Sequence, residues 1–336
     1  MFRRSFTAAG SAVLWLAVPV HAETAYPLTL TNCGVDVTFE AAPESVVTVG
    51  QAATEILYSL GLGDKVQGTS VWFTDVLPEF EVLNAGIERI ADNDPSFESV
   101  VAKRPGLVAV QYEWHVGAQG IVATREQFAD LGIPTYTLPA DCIGKDNTAG
   151  SDGTRLEQYE MDSLYQGITE LAQIFDVGDR GDALVADLRA REAAAIEKAQ
   201  ALTLGNATAV FWFSSAEMDI DPYVAGQGGA PANMMQALGL ENVVSSDEEW
   251  PVVSWETISR ANPTIIVAAR MERRRFEADD IDKKLEFLRS DPVVSLMDAV
   301  TKDRVVILDA HSMDPSIRNI AALETLADAL AESDLK

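Results

Sequence analysis

Short runs of β-branched and other apolar residues recur along the chain, each followed by a segment of helical period. A strand covered on both faces reads as a continuous apolar run, so buried parallel strands are predicted at residues 45–49, 107–111 and 134–138 and again at 209–213, 264–269 and 304–308. Parallel neighbours require helical crossovers, which the intervening segments supply. Between the two sets, residues 180–202 are rich in Ala, Leu, Glu and Arg, with no Pro and no Gly after Gly181. Leu184, Leu188 and Ile196 give this segment an apolar side, while Asp187, Arg189 and Arg191 give it a wet one. It reads as one long helix linking two α/β lobes, and a helical link resists bending far better than a Gly/Ser coil.

The halves repeat one another. Ser96-Phe97-Glu98-Ser99-Val100 runs through Pro105 into the apolar 107–110, and Ser254-Trp255-Glu256-Thr257-Ile258 runs through Pro263 into the apolar 265–268. Each reads as a Ser N-cap, an aromatic residue, a Glu in the first turn, a short helix stopped by Pro and a buried strand. Residues 55–62 likewise resemble 233–240, each a helix closed by Gly (Gly61, Gly239). The predicted organisation is 23–178 for the first lobe, 179–202 for the linking helix and 203–336 for the second lobe.

Residues 1–22 carry Arg3 and Arg4, an apolar stretch over 12–18 and Val20-His21-Ala22, the pattern of a secretory signal peptide cleaved after Ala22. The apolar stretch is shorter than the roughly 20 residues of a spanning helix, and no later one is long enough, so stable membrane insertion is not expected. Whether export uses the twin-arginine or the general route stays open. With 336 residues, 47% hydrophobic and 23% charged, the chain is globular, and 25 Lys+Arg against 52 Asp+Glu leave it at −27. Loss of Arg3 and Arg4 leaves 23 basic against 52 acidic residues, or −29. Such a field repels phosphate backbones, so nucleic acid is not an expected partner. Cys33 and Cys142, an even pair in an exported chain, are expected to form a disulfide, the alternative being two buried thiols.

Signal peptide, paired lobes, helical link and repeated Ser-aromatic-Glu passages together resemble a class III periplasmic substrate-binding protein of ABC importers, of the branch that serves ferric siderophores, haem and cobalamin. The resemblance spans about residues 27–333. It is carried by Ser45-Val46-Val47-Thr48, Thr54-Glu55-Ile56-Leu57, Leu60-Gly61-Leu62 and Pro105-Gly106-Leu107-Val108, where Gly106 replaces the family's usual Asp. It implies a monomeric receptor in the periplasm whose partners are a membrane permease and its ATPase. It also implies that one glutamate on each lobe, here Glu98 and Glu256, meets arginines of the permease; a carboxylate in a first helical turn is also favoured simply by the helix dipole.

In open α/β sheets ligands lie beyond the C-terminal strand ends. The residues there nominate Trp72, Tyr112, Trp114 and His115 from the first lobe and Trp212, Tyr223, Arg270, Arg273 and His311 from the second, with Gln51, Phe73, Phe213 and Trp250 nearby. Trp212 and Phe213 are adjacent on a strand and point oppositely, so at most one of them reaches a cleft. Aromatic walls suit a bulky, partly planar ligand, and the island Arg270, Arg273, Arg274 and Arg275 suits an anionic one, although it also reads as a solvated helix start. His115 and His311 stand alone with no HxH or HxxxH spacing, so no directly bound metal and no cofactor are expected. The expected ligand is an iron(III)–chelator complex of the siderophore type, with corrinoid or haem as alternatives. An exported hydrolase is the competing class, but Gly-x-Ser-x-Gly, HExxH and a Walker-type loop are all missing. Gly226-Gln227-Gly228-Gly229 reads as a helix-start turn.

Overall fold

The computed structural model describes residues 23–148 and 153–333. The expected signal peptide, 1–22, lies outside the described residues. A hairpin of β1 (Leu28–Asn32) and β2 (Val35–Phe39) leads into the first lobe. Its sheet consists of β3 (Val46–Val49), β4 (Val66–Ser70), β5 (Arg89–Ala91), β6 (Leu107–Val110) and β7 (Thr135–Thr137), in spatial order β5-β4-β3-β6-β7 with every neighbouring pair parallel. A small hairpin, β8 (Lys145–Asp146) with β9 (Thr154–Arg155), follows. The second sheet contains β10 (Thr208–Ser214), β11 (Tyr223–Val224), β12 (Glu241–Asn242), β13 (Ile265–Arg270) and β14 (Val305–Asp309), in the order β11-β10-β13-β14 with β12 beside β10. Only β11 runs antiparallel in it. All six expected strands form. The short strands β4, β5, β11 and β12 were not expected; they carry too few apolar residues to stand out.

The helices are α1 (Gln51–Ser59), α2 (Glu81–Asn84), α3 (Phe97–Val101) and α4 (Arg125–Ala129) in the first lobe, then α5 (Met161–Ile174) and α6 (Gly178–Gln200). In the second lobe they are α7 (Ala230–Ala237), α8 (Trp255–Ala261), α9 (Ile281–Ser290), α10 (Asp298–Thr301) and α11 (Arg318–Glu332). The duplicated passages fold alike. Ser96 caps α3 by accepting the Ser99 amide, and Ser254 caps α8 by accepting the Thr257 amide. Each chain then turns through a left-handed residue just before its proline, Arg104 at φ 52 and Asn262 at φ 48. Gly61 and Gly239, which close α1 and α7, sit at φ 70 and 73, where a side chain would be strained. Gly50 starts α1 at φ 133, and a Cβ there would come within 2.2 Å of the Gln111 Cβ, so only glycine lets the two strand ends approach.

The long helix α6 packs between α5 and α11 and is tied to both lobes. Arg180 donates to the Leu60 carbonyl at the end of α1, and Arg191 forms a bidentate pair with Glu324 of α11 at 2.8 and 2.7 Å. Residues of alternate parity on the second sheet enter different layers. Ala209, Phe211, Ile265 and Val267 join an apolar core continuous with that of the first lobe, whereas Val210, Trp212 and Ile266 face an outer layer with Ile258 and Leu288. The lobes therefore share one core beneath the cleft, each buried large side chain contributing about 1.5–3 kcal/mol. No helix of the described residues is long and apolar enough to cross a membrane. Cys33 and Cys142 are joined in a disulfide that fastens β1 to the segment after β7.

Candidate functional site

The C-terminal ends of both sheets face one another across a cavity of about 610 Å³. Phe73 arrives from the segment after β4, Tyr112 and Trp114 from that after β6, and Asp141 from that after β7. From the second lobe come Phe213 at the end of β10, Trp250, Arg273 and Arg275 after β13, and Asp314 after β14. Tyr112 and Trp114 stack face to face with centroids 4.2 Å apart, Phe213 and Trp250 lie 4.7 Å apart, and Phe73 meets Phe213 edge-on at 6.4 Å. Aromatic surface thus comes from both lobes. Val71, at φ 58, takes a left-handed conformation costly for a β-branched residue, and directly after it Trp72 turns into the first lobe while Phe73 turns toward the cleft.

Charge is concentrated on the same walls. Arg155 Nε meets Glu249 Oε1 at 3.1 Å, and Lys145 Nζ lies 2.6 Å from Asp141 Oδ1 and 3.7 Å from Glu249 Oε2, so the two lobes are bridged at one end of the cavity. Gly228 and Gly229 pack against the stems of Arg155 and Glu249, and Gly229 caps α7. The Gly226–Gly229 run is therefore a helix start that makes room for this crossing. At the other end Arg273 Nη1 donates to Asn93 Oδ1 at 3.2 Å while its guanidinium covers the Phe73 ring. Burial lowers the Arg273 pKa, though a guanidinium stays charged. Asp314 is pushed up to about 7 by burial first and by the Glu249 carboxylate second. Burial, with the carboxylates of Asp314 and Asp141, holds the Tyr112 hydroxyl well above its ordinary value, so it remains a neutral phenol.

Of the residues nominated from the sequence, Tyr112, Trp114 and Arg273 lie on the cavity wall, together with Phe73, Phe213, Trp250 and Arg275, whereas Trp72, His115, Trp212, Tyr223, Arg270 and His311 do not. Trp72 is buried in the first lobe, its indole donating to Thr69 Oγ1 beneath the Arg89 guanidinium. Trp212 is buried in the outer layer against Trp255, at 4.7 Å, because strand alternation gives Phe213 to the cleft instead. Tyr223 stacks on Phe276, and Arg270, the last residue of β13, is exposed outside the cavity. His115 is fully buried behind the wall with Nε2 2.9 Å from Asp94 Oδ1, an interaction that lowers the Asp94 pKa. His311 is buried and stacked behind Phe73 at 5.7 Å, and burial, then Arg318, holds its pKa well below the ordinary value. Glu98 and Glu256 are both exposed, each two positions after its Ser cap, and Glu256 pairs with Arg260 at 2.7 Å. Among the described residues, the one cluster of three potential metal ligands is Cys33, Glu113 and Cys142, and the disulfide leaves it no thiolate.

Sequence reasoning missed Asp94, Asp141, Lys145, Arg155, Glu249 and Asp314. Asp141 and Lys145 belong to a polar, turn-rich segment that reads as a solvent loop, and charged loop residues acquire meaning only when the fold sets them against an opposite lobe.

With this geometry in view, the chain belongs to the periplasmic binding protein family, whose model matches residues 46–311. It is similar to an uncharacterized ABC transporter substrate-binding lipoprotein of Bacillus subtilis, 27% identical over 72% of this chain and 69% of that one. A vitamin B12-binding protein of Pectobacterium atrosepticum is 25% identical over 68% of this chain and 72% of its own length. Among solved structures, a periplasmic binding protein from Veillonella parvula superposes with TM-score 0.73 at 23% identity, covering 90% of this chain and 96% of that one. A protein of an ABC-type Fe3+-hydroxamate transport system from Saccharomonospora viridis superposes with TM-score 0.71 at 24% identity, covering 91% and 99%. These likenesses establish the class III two-lobed fold. The chain is the binding component of an ABC transporter, a role that implies permease and ATPase partners.

Proposed function

We propose that the protein captures an anionic iron(III)–chelator complex of the siderophore type in the interlobe cleft, after export to the periplasm through a cleaved signal peptide, and releases it unaltered to the permease. The observation that carries this reading is the pair Arg273 and Arg275 set into an aromatic-walled cavity of about 610 Å³ within a chain of charge −27. Guanidinium groups bind carboxylate or catecholate oxygens bidentately and keep their charge when partly desolvated. His115 and His311 lie behind the wall, so haem iron would find no histidine on the described lining and would have to draw its axial ligand from Tyr112. Glu98 and Glu256, one exposed on each lobe, are the proposed contacts with permease arginines.

A corrinoid is the second reading, favoured by the stacked Tyr112 and Trp114 and by the name of the Pectobacterium relative. Trp114 and Trp250 line the cavity, so intrinsic fluorescence distinguishes the two. Saturable quenching by a ferric tricatecholate but not by cobalamin or haem supports the siderophore reading; the opposite order overturns it.

A further inference from the structure

Beneath the cleft, the two lobes are joined by a buried ionic network that no ligand contact explains. Arg318, at the start of α11 in the second lobe, reaches into the first, where Nε and Nη2 meet Glu55 Oε2 and Oε1 at 2.8 and 2.5 Å. Its Nη2 also donates to the Asp75 carbonyl at 2.6 Å, and Nη1 lies 2.9 Å from Asp309 Oδ2. Glu55 is fully buried on α1 and also accepts from Gln51 Nε2 and the Leu77 amide. Asp309, at the end of β14, accepts in turn from Thr74 Oγ1 of the first lobe at 2.9 Å.

Three of these bonds, those of Thr74, the Asp75 carbonyl and the Leu77 amide, end on residues 71–77, the segment that carries Phe73. The Phe73 amide donates to Gln51 Oε1 at 3.1 Å, and its carbonyl accepts from the Glu272 and Arg273 amides, both at 3.1 Å. One first-lobe segment is thus bonded on one side to Gln51 and Glu55 and on the other to Arg318, Asp309 and the backbone before the cleft arginine. A buried carboxylate and guanidinium with this many satisfied atoms fix geometry more than they add stability.

We propose that Glu55 and Arg318 are positioning residues that set the width of the cleft, holding Phe73 against Arg273 and limiting lobe separation until the ligand is released. The inference rests on the reading of the interlobe cavity as the ligand site and adds the element that governs its opening. The exchange Glu55→Gln with Arg318→Met removes both charges together and leaves neither unpaired. Arg318→Lys keeps a cation but loses the two-pronged contact.

The test uses the full chain with spin labels at Glu126→Cys and Lys302→Cys, exposed positions on opposite lobes, with the native disulfide left oxidised. In the double variant the interlobe distance distribution should broaden at least about twofold and a ferric tricatecholate should dissociate about tenfold faster, with Arg318→Lys intermediate. A purely local structural role would lower the melting temperature and leave both readouts where they were. An unchanged distribution in a folded variant overturns the proposal, and if the double variant does not fold, Arg318→Lys carries the same test. The distance measurement needs no ligand. A wild-type chain that ignores tricatecholate therefore refutes the cargo reading while the clasp is still judged by its own arm.

Discussion

The guanidinium carbon of Arg273 lies 4.3 Å from the centroid of the Phe73 ring, a cation–π contact made across the cleft between the two lobes. It keeps the cation oriented without neutralising it. Asn93, a neutral acceptor, takes its hydrogen bond, while the carboxylates of Asp279 and Asp314 act on the cation through space and compete with any anion it would meet.

Replacing Arg273 by Ala should weaken an anionic ferric chelate about 10- to 100-fold, the range of one charge-assisted hydrogen bond. Arg273→Lys should recover only part of the loss, because an ammonium can neither lie flat on Phe73 nor bind two oxygens at once. Calorimetric titration checks both; equal affinity in Arg273→Ala would remove this residue from the site.

Asp314 links the site to pH. Its carboxyl is held up to about 7 in the folded chain, against the 3.8 of an ordinary aspartate. Between those values the folded state keeps a proton that the unfolded state has lost, so this stabilising contribution is full below about 4 and disappears as pH rises toward 7. Asp314→Asn should accordingly gain stability over the parent on going from about pH 4 to pH 8, by on the order of a few kcal/mol. Urea denaturation at the two pH values measures the gap, and a pH-independent difference would contradict the assignment.

Glu98 and Glu256 occupy equivalent exposed positions at the starts of α3 and α8. Reversing both charges to Lys should abolish uptake in cells while ligand affinity of the purified protein stays within about twofold, since neither lies on the cavity wall. Normal uptake by the double variant would return both residues to a helix-dipole role.

The disulfide between Cys33 and Cys142 closes 109 residues of chain. Substituting both by Ser should cost about 2–5 kcal/mol in urea denaturation, through the larger freedom of the unfolded chain. A change below about 0.5 kcal/mol would show that β1 is held by its other contacts alone.

The duplicated Ser-aromatic-Glu passages could be read directly because caps, left-handed turns and prolines act locally, and the structure repeats them at Ser96 and Ser254. The long helix was equally legible from composition, although α5, which packs beside it, was not noticed. The cleft was harder. Strand parity says that Trp212 and Phe213 face opposite ways but not which faces the ligand, and the left-handed turn at Val71 that separates Trp72 from Phe73 leaves no mark in a valine codon. Arg270 stands nearest the strand end, yet the turn after β13 carries Arg273 and Arg275 inward and leaves Arg270 outside. Lys145, Arg155 and Glu249 lie far apart in the chain and become a group only when the lobes close on one another.

The location of ligand capture is tested most directly by amide hydrogen exchange of the full chain with and without a ferric tricatecholate. The account predicts new protection on both lobes at once, around Phe73 and Tyr112–Trp114 on one side and around Glu249–Trp250 and Arg273–Arg275 on the other. Protection confined to one lobe, or lying outside these segments while the ligand is bound, would contradict it.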